Sequence, residues 1–328
     1  MQLAPFHGRS PHSRRAFLSS TVKAAALVGS MGLRTGSQAV AQQKGGQNRS
    51  PRIHVFSKHL QWLDYRGMAE AAAEIGFDGV DLTVRPRGHV LPERVEDDLP
   101  RAVEAVKQAG LRVEMIVSTI NDPRDKHTDR ILRTAGGLGI RYYRMGYHHF
   151  SPTQDIFSQL NELKPLFRDL AAMNKQYGLA ASHQNHAGEK YVGAGLWDLH
   201  HLIHDLDRRW MGAQYDIRHA VAEGGTTWTV TLRMLAAYIN TMVVKDFLWG
   251  KRRQSWFTEN VPLGQGMVDF PKFATLVKQL KIVVPVSLHL EYPLGGADHG
   301  HRELSVDKSV VFEAMRRDLR FCRDLFAG

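Results

Sequence analysis

The sequence predicts a single (β/α)8 barrel of the α/β class, in which parallel strands alternate with helices. Two observations lead to this fold. Strand-like and helix-like segments alternate from about residue 52 to the end of the chain, and eight of the segments are strand-like. A doubly wound sheet is the competing fold, but no Gly-x-Gly-x-x-Gly motif follows the first predicted strand.

The predicted strands, in chain order, are Arg52–Ser57, Gly79–Val84, Arg112–Thr119, Ile140–Gly146, Leu179–His186, Gly212–Ile217, Asn240–Phe247 and Ile282–Glu291. Helices are predicted where apolar residues recur at intervals of three and four. Examples are Arg66–Ile75, Glu93–Ala109, Asp155–Tyr177, Phe270–Leu280 and Ser305–Phe326. Gly76, Gly110 and Gly178 stand just beyond three of these helices, a position where glycine commonly ends a helix.

The first 41 residues have the features of a bacterial export signal. Arg14-Arg15 forms a twin-arginine pattern, residues 24–33 are weakly apolar, and Ala39-Val40-Ala41 has the small-x-small pattern of a cleavage site. The apolar stretch is too short to span a bilayer, so we predict no stable membrane insertion. We expect cleavage near Ala41 and a periplasmic product; a disordered basic tail is the alternative.

The remaining chain is predicted to consist of a flexible lead-in over residues 42–51 and the barrel over residues 52–328. The net charge of +10 falls to +5 without residues 1–41, because they hold five of the 43 basic residues and none of the 33 acidic ones. A charge of +5 on a domain of this size requires no nucleic-acid partner. The single cysteine, Cys322, excludes an intrachain disulfide and a cysteine-based zinc site.

Polar residues are concentrated where the predicted strands end, which is where (β/α)8 barrels place their active sites. In the last strand, Ser287, His289 and Glu291 share one face because side chains alternate along a strand. The other strand ends carry Arg85 and His89, Arg144 and His149, Gln184 and His186, Asp216 and His219, and Lys245 and Asp246. Each has an alternative explanation, such as a solvated loop histidine or a surface ion pair, but their concentration favours an active site.

Five stretches resemble the xylose-isomerase-like TIM barrel superfamily, the sugar phosphate isomerase/epimerase group. They are Gly76–Leu82, Gln184–Gly188, Tyr215–Ala220, Val244–Phe247 and Val261–Gly266, and the resemblance covers essentially all of residues 52–328. It implies a divalent metal held by Glu, Asp, His and Glu from strands five to eight. Carboxylate and imidazole ligands suit Mn²⁺, Zn²⁺, Co²⁺ or Mg²⁺ without distinguishing them.

Carried over by position, the resemblance implies that Asp216 and Glu291 are metal ligands and that His219 binds substrate. Glu291 is a candidate ligand or base. His186, His219 and Lys245 are candidate acid/base or oxyanion groups, and none can be assigned a single role.

Two positions depart from the family pattern. Gln184 stands where the strand-five glutamate is expected, and Val243 stands where strand seven usually offers histidine. An amide is a weaker ligand than a carboxylate, and valine cannot ligate. His289 is the candidate to complete a metal set of Gln184, Asp216, His289 and Glu291. The alternative is that His289 orients Glu291 or the substrate.

We therefore predict an exported, metal-dependent sugar isomerase or epimerase that transfers protons next to a carbonyl carbon. A lyase or hydratase acting on 3-keto sugars or glycosides is an alternative, because it begins with the same proton abstraction. An alternative of another class is a non-catalytic periplasmic sugar-binding protein. The predicted partner is a small carbohydrate bound by Arg85, His89, Arg144, His149 and His219, and the sequence is compatible with a homo-oligomer.

Overall fold

The computed structural model describes residues 50–327, which form a closed eight-stranded parallel barrel with helices between its strands. The strands are β1 (Ile53–Phe56), β2 (Gly79–Thr83), β3 (Arg112–Val117), β4 (Tyr142–Arg144), β5 (Ala180–Gln184), β6 (Met211–Asp216), β7 (Ile239–Val244), β8 (Asp246–Arg252), β9 (Ser255–Val261) and β10 (Val286–Leu288). The barrel order is β1-β10-β7-β6-β5-β4-β3-β2, and β8 and β9 form a separate hairpin. The predicted (β/α)8 fold is confirmed.

The helices of this region are α1 (Tyr65–Ile75), α2 (Val95–Gln108), α3 (Thr128–Gly137), α4 (Ile156–Tyr177), α5 (Trp197–Ile203), α6 (Ile217–Gly224), α7 (Trp228–Leu235), α8 (Phe270–Gln279) and α9 (Lys308–Ala327). Asp64 and Asp155 begin α1 and α4 by accepting hydrogen bonds from backbone amides. Gly76 and Gly178 follow these helices with φ of 101° and 77°, angles that glycine adopts without strain. Within residues 50–327, no helix is long and apolar enough to cross a membrane.

The β8–β9 hairpin is an addition that the sequence did not predict. The predicted seventh strand, Asn240–Phe247, is wrong at its end, because β7 stops at Val244 and Lys245 separates it from β8. The apolar residues on both sides of Lys245-Asp246 made the segment look continuous. The hairpin turn is Arg253-Gln254, where Arg253 has a φ of 54°, as two-residue hairpin turns require.

Successive side chains of a barrel strand point alternately toward the surrounding helices and into the barrel interior. Met242, Val244 and Leu288 belong to the hydrophobic core, whereas Val243 is buried outside that core cluster. Val243 is in register with Asp216 on β6 and with Ser287 on β10. Asp216, Val243 and Ser287 therefore lie side by side on the inward faces of β6, β7 and β10.

Candidate functional site

Two carboxylates and one lysine meet at the C-terminal end of the barrel. Lys245 directly follows β7, and its Nζ lies 3.2 Å from Asp216 Oδ2 and 2.8 Å from Glu291 Oε2. Asp216 ends β6, and Glu291 lies three residues beyond β10. Lys245 and Asp216 are both buried. The fold thus brings three residues from separate predicted strand ends into direct contact.

A second lysine contacts the same carboxylate. Lys58, in a 3-10 turn after β1, has its Nζ 2.7 Å from Glu291 Oε1. Burial alone would raise the pKa of Glu291, but the charges of Lys245 and Lys58 outweigh it and hold that pKa well below its ordinary value. Burial also opposes the charge of Lys245, but Asp216 and Glu291 outweigh that effect and raise its pKa. The two lysines therefore favour the ionised form of Glu291, and the carboxylates favour the charged form of Lys245, whereas burial lowers the pKa of Lys58.

Gln184, at the end of β5, turns its amide oxygen away from the carboxylates. Arg144, which can only donate, lies with Nη1 3.0 Å from Gln184 Oε1, and the Tyr147 hydroxyl donates to the same oxygen at 2.7 Å. Gln184 Nε2 donates to Asp216 Oδ2 at 2.8 Å. Gln184 therefore acts as a hydrogen-bond donor to Asp216.

The backbone around Asp216 is held on both sides. Asn185 accepts from the Asp216 amide at 2.8 Å and donates to the Asp216 carbonyl at 2.9 Å. Asp216 Oδ1 accepts from the His219 amide at 3.2 Å, which makes Asp216 the N-cap of α6. Burial raises the pKa of Asp216, although Lys245 opposes the shift. The carboxylate is thus fixed in position by β5, β6 and α6 together.

Two histidines extend the cluster. His219 Nε2 lies 2.9 Å from Lys245 Nζ, and its Nδ1 lies 2.9 Å from Arg218 Nη1. Burial and the charge of Lys245 lower the pKa of His219 well below its ordinary value, so the imidazole is neutral. A neutral imidazole accepts at only one nitrogen, so it binds a hydrogen from Lys245 or from Arg218 but not both. The His186 ring lies 4.1 Å from that of His219, and burial lowers the pKa of His186 to about 4.

His289 contacts Glu291 and an aromatic ring. It stacks on Phe56 with ring centroids 4.3 Å apart, and its Nδ1 is 3.7 Å from Glu291 Oε1. Neither of its ring nitrogens has a hydrogen-bond partner within residues 50–327, and burial lowers its pKa to about 3. This placement fits a residue that orients Glu291 or the substrate better than a ligand facing Asp216.

The two arginines predicted to bind substrate lie at the same end of the barrel. Arg144 reaches the cluster through Gln184. The Arg85 guanidinium lies 5.7 Å from the centre of the Phe56 ring. Burial, with the nearby charge of Arg144, lowers the pKa of Arg85 to about 10. Both arginines can offer positive charge to an oxygen-rich substrate.

The two remaining predicted histidines have different surroundings. His89 follows β2, and its backbone amide donates to the Thr83 hydroxyl at 2.8 Å. The His149 ring lies 4.9 Å from that of Tyr191, which in turn lies 4.3 Å from His186. The Tyr191 ring therefore lies between His149 and His186. The backbone of His89 stabilises the loop after β2.

The donor set does not fit a divalent metal ion. Within residues 50–327, no group of three or more His, Cys, Asp or Glu side chains is placed to hold one. Lys245 bridges the two carboxylates, Asp216 and Glu291. Gln184 directs amide hydrogens toward Asp216. The apolar Val243 is in register with Asp216 on the neighbouring strand. Divalent ions need several oxygen or imidazole ligands that face one point, and these residues do not provide them.

A cavity of about 460 Å³ opens beside Glu291, His186 and His219 and extends to the β8–β9 hairpin. Trp249 and Trp256 of the hairpin line its outer part, and both rings are largely exposed. The volume lies within the range of small-molecule sites. The cavity therefore joins a charged inner end to an aromatic outer end.

Asn260 links the hairpin to the site by hydrogen bonds. Asn260, on β9, accepts from Arg218 Nε at 3.2 Å and donates to the Glu291 carbonyl at 3.1 Å. Sequence reasoning missed Asn260 because it lies on the unpredicted hairpin. It also missed Lys58 and Tyr147, although Lys58 stands one residue beyond the first predicted strand, where the strand-end rule applies.

A protein family described as the xylose isomerase-like TIM barrel matches residues 69–312 of the chain. No curated protein sequence matches significantly. Among solved structures, the IOLI protein with a bound zinc atom is similar, with a TM-score of 0.65 and 16% identity, and the match covers 84% of this chain and 97% of that one.

Two other solved structures share the fold at similarly low identity. D-psicose 3-epimerase from Clostridium cellulolyticum H10, with D-tagatose, has a TM-score of 0.60 and 10% identity over 84% of this chain and 98% of that one. The probable 3-DHS dehydratase AsbF from Bacillus anthracis has a TM-score of 0.60 and 13% identity over 81% and 97%. At such identities the structural matches establish a common fold.

Proposed function

Because the chain belongs to the xylose isomerase-like TIM barrel family, we propose that it is a sugar isomerase or epimerase that transfers protons next to a carbonyl carbon. One observation carries the proposal: Glu291 lines a cavity of substrate size and lies 2.8 Å from the buried ammonium group of Lys245. The names of two similar structures, an epimerase and a dehydratase, support reactions of this type.

Glu291 is the proposed base. It removes a proton from the carbon next to the carbonyl group; the C–H electron pair forms a C=C bond, and the carbonyl π pair moves to oxygen. Lys245 donates a hydrogen bond to that developing oxyanion. A substrate oxygen at Lys245 draws the ammonium away from Glu291, so the pKa of Glu291 rises and the carboxylate becomes a stronger base.

His186 and His219 are the proposed partners for the second proton transfer. His186 lines the cavity, and its neutral imidazole can carry a proton to or from a substrate hydroxyl group. His219 contacts Lys245 and borders the same cavity, so it positions the ammonium and contacts substrate. Returning the proton to carbon from the other side gives an epimer, and returning it to the neighbouring carbon gives an isomer.

Carbohydrate is the proposed substrate class because the cavity joins charged and aromatic surfaces. A sugar ring presents hydroxyl groups along its edge and C–H groups on its faces. Arg218, Glu291 and His186 can bind the hydroxyl groups, and Trp249 and Trp256 can stack on the C–H face.

Elimination from a 3-keto glycoside is the second candidate, and the lining of the cavity favours it. The lining includes both Glu291 and Trp256 of the hairpin, which offers a surface to a group attached to the reacting ring. The chemistry begins with the same proton abstraction, after which the enolate expels the attached alkoxide instead of regaining the proton at carbon. A protein exported by the signal proposed in residues 1–41 would meet glycosides more readily than sugar phosphates.

A metal was expected from the family resemblance, and the name of one similar structure includes zinc. Because Gln184, Val243 and Lys245 do not fit a divalent ion, no step proposed for this chain passes through one. The oxyanion is assigned to Lys245 instead.

The proposal is tested by identifying products with NMR. Free ketohexoses, 3-keto sugars and 3-keto glycosides are incubated with the wild-type protein and with Glu291→Gln. We expect an isomer of unchanged mass, or an unsaturated sugar that has lost its alcohol, with a rate at least about 100-fold lower in the variant. Binding of these sugars by the wild type without any product would overturn the proposal and indicate a sugar-binding protein.

A further inference from the structure

We infer that the ammonium group of Lys245, assisted by Lys58, takes the place of a divalent metal ion at this barrel mouth, and that the protein functions without one. The inference concerns the cation that holds the carboxylates together. Its catalytic part rests on the proposed function, whereas the exclusion of metal follows from the residues alone and can be tested without a substrate.

The first observation is the number of contacts that Lys245 makes. Its Nζ lies 3.2 Å from Asp216 Oδ2, 2.8 Å from Glu291 Oε2 and 2.9 Å from His219 Nε2. An ammonium group has three hydrogens to donate, and it meets three acceptors here when the neutral His219 carries its own hydrogen on Nδ1. A metal ion shared by Asp216 and Glu291 would have to occupy the point where this nitrogen already lies.

The second observation is the balance of charge. Asp216 and Glu291 carry two negative charges, and Lys245 and Lys58 supply two positive charges within 3.2 Å of them. This is the charge that a divalent ion would provide. An added dication would find the two carboxylates already neutralised by the lysines. The positive charge of the nearby Arg218 would repel it.

The third observation is that two other positions of the metal-binding pattern oppose a metal. Val243 is in register with Asp216 and offers no donor atom. The oxygen of Gln184 already accepts hydrogen bonds from Arg144 and Tyr147. The departures from the metal-binding pattern therefore occur together, and each is compatible with a lysine as the central cation.

The chemistry balances without a metal. Glu291 takes the proton while the C–H electron pair becomes a C=C bond and the carbonyl oxygen becomes anionic. Lys245 donates a hydrogen bond to that oxygen in a buried site, where such a bond is stronger than in water. Glu291 then gives the proton to the former carbonyl carbon, while His186 moves a proton from the neighbouring hydroxyl group to the oxyanion, so the product is an isomer and no oxidant, reductant or additional reactant is consumed.

The test measures metal content and metal-dependent stability of the full-length chain. Wild type, Lys245→Gln and Lys245→Arg are dialysed and assayed by elemental mass spectrometry, and thermal unfolding is recorded with 1 mM EDTA or about 1 mM Mn²⁺. Lys245→Gln removes the charge and frees both carboxylates, whereas Lys245→Arg keeps the charge. Adding Asp216→Asn to Lys245→Gln is the matched control, because it removes one of the freed carboxylates.

We expect less than about 0.1 metal ion per wild-type chain and the same Tm in EDTA and Mn²⁺. Lys245→Gln should gain at least about 2 °C in Mn²⁺, and neither Lys245→Arg nor the matched control should gain stability. A stoichiometric metal in the wild type, or a Lys245→Gln protein indifferent to Mn²⁺, would overturn the inference. If Lys245→Gln fails to fold, the wild-type metal content and the Lys245→Arg response decide the question. Loss of the proposed activity in all assays would leave these results unchanged, so the two failures are distinguishable.

Discussion

At the residue scale, Glu291 is the proposed base; it contacts both lysines and borders the cavity. Glu291→Gln keeps the size of the side chain, but it replaces one acceptor oxygen by an NH2 group and cannot take a proton. We expect kcat to fall by about 10²- to 10⁴-fold, measured on any substrate that the product screen identifies. The exposed Glu313 is the matched control, and Glu313→Gln should keep wild-type kcat. A kcat within threefold of wild type for Glu291→Gln would remove the assigned base.

A second residue, His183, makes stability depend on pH. It lies fully buried on β5, neither ring nitrogen has a partner within residues 50–327, and burial lowers its pKa to about 3. The unfolded chain binds a proton at this histidine below about pH 6.5, and the folded chain does not until about pH 3. The protonation of His183 therefore costs no stability above about pH 6.5, and it lowers the free energy of unfolding progressively as the pH falls toward 3.

His183→Leu should remove this dependence. At pH 5 the histidine lowers the free energy of unfolding by about 2 kcal/mol relative to pH 7.5, from about 1.4 kcal/mol for each pH unit below 6.5. Urea unfolding of both proteins at the two pH values measures the effect. The variant should lose about 2 kcal/mol less than the wild type between them, and an identical loss would contradict the assignment.

Residue identities at the strand ends could be predicted from the sequence, but their contacts could not. Asp216, Lys245 and Glu291 were found because barrel chemistry collects where strands end. The sequence did not reveal that Lys245 bridges the two carboxylates, because the groups that a lysine can contact depend on where its backbone lies along the barrel axis. Lys58 was missed because a single lysine after a strand has no pattern that separates it from a surface residue.

At the scale of elements, the β8–β9 hairpin supplies the aromatic end of the cavity. Trp256→Ala removes an exposed ring at the position proposed to stack on the substrate. We expect KM to rise about tenfold with little change in kcat, which corresponds to about 1.4 kcal/mol of binding. Trp197, exposed to a similar extent at the start of α5, is the matched control. Equal KM values for Trp256→Ala and Trp197→Ala would show that the hairpin does not contact the substrate.

The helices could be predicted because each buries one face, and the apolar pattern records which face it is. The strands could be predicted because they form short, almost wholly buried segments between the helices. The hairpin could not, since the apolar residues of β7 and β8 run on either side of Lys245-Asp246. Its turn, Arg253-Gln254, also lacks the glycine or asparagine that marks most two-residue turns. The structure shows that Lys245 and Asp246 diverge. Asp246 accepts hydrogen bonds from the amides of Gly264 and Gly266.

At the scale of the whole molecule, we propose that residues 1–41, which lie outside the described range, direct export. The twin arginines Arg14 and Arg15 are the specific feature. Changing both to lysine should retain the precursor in the cytoplasm, whereas the wild-type product should begin near Gln42. Cell fractionation and N-terminal sequencing measure both outcomes. Normal export of the double variant would contradict a twin-arginine route.

In this barrel the family determines the fold, whereas individual residues determine whether the site can hold a metal ion. The eight strands and the site at their C-terminal ends follow from the family fold. Metal dependence does not follow, because Gln184 and Val243 replace two expected ligands with a hydrogen-bond donor and an apolar group, and Lys245 places a cation between the two carboxylates. The same architecture can therefore support proton transfer with a different electrophile.

Hydrogen exchange followed by proton NMR in D₂O containing EDTA tests whether Glu291 and Lys245 transfer a proton without a metal ion. The wild-type protein and Glu291→Gln are incubated with the 3-keto sugars and ketohexoses of the product screen, and the C–H signal next to the carbonyl group is monitored. We predict that the wild type replaces this hydrogen with deuterium in EDTA and that Glu291→Gln does not exceed the rate in buffer. Exchange that appears only after a divalent metal is added, or no exchange by the wild type on any of these sugars, would contradict a lysine-assisted proton transfer.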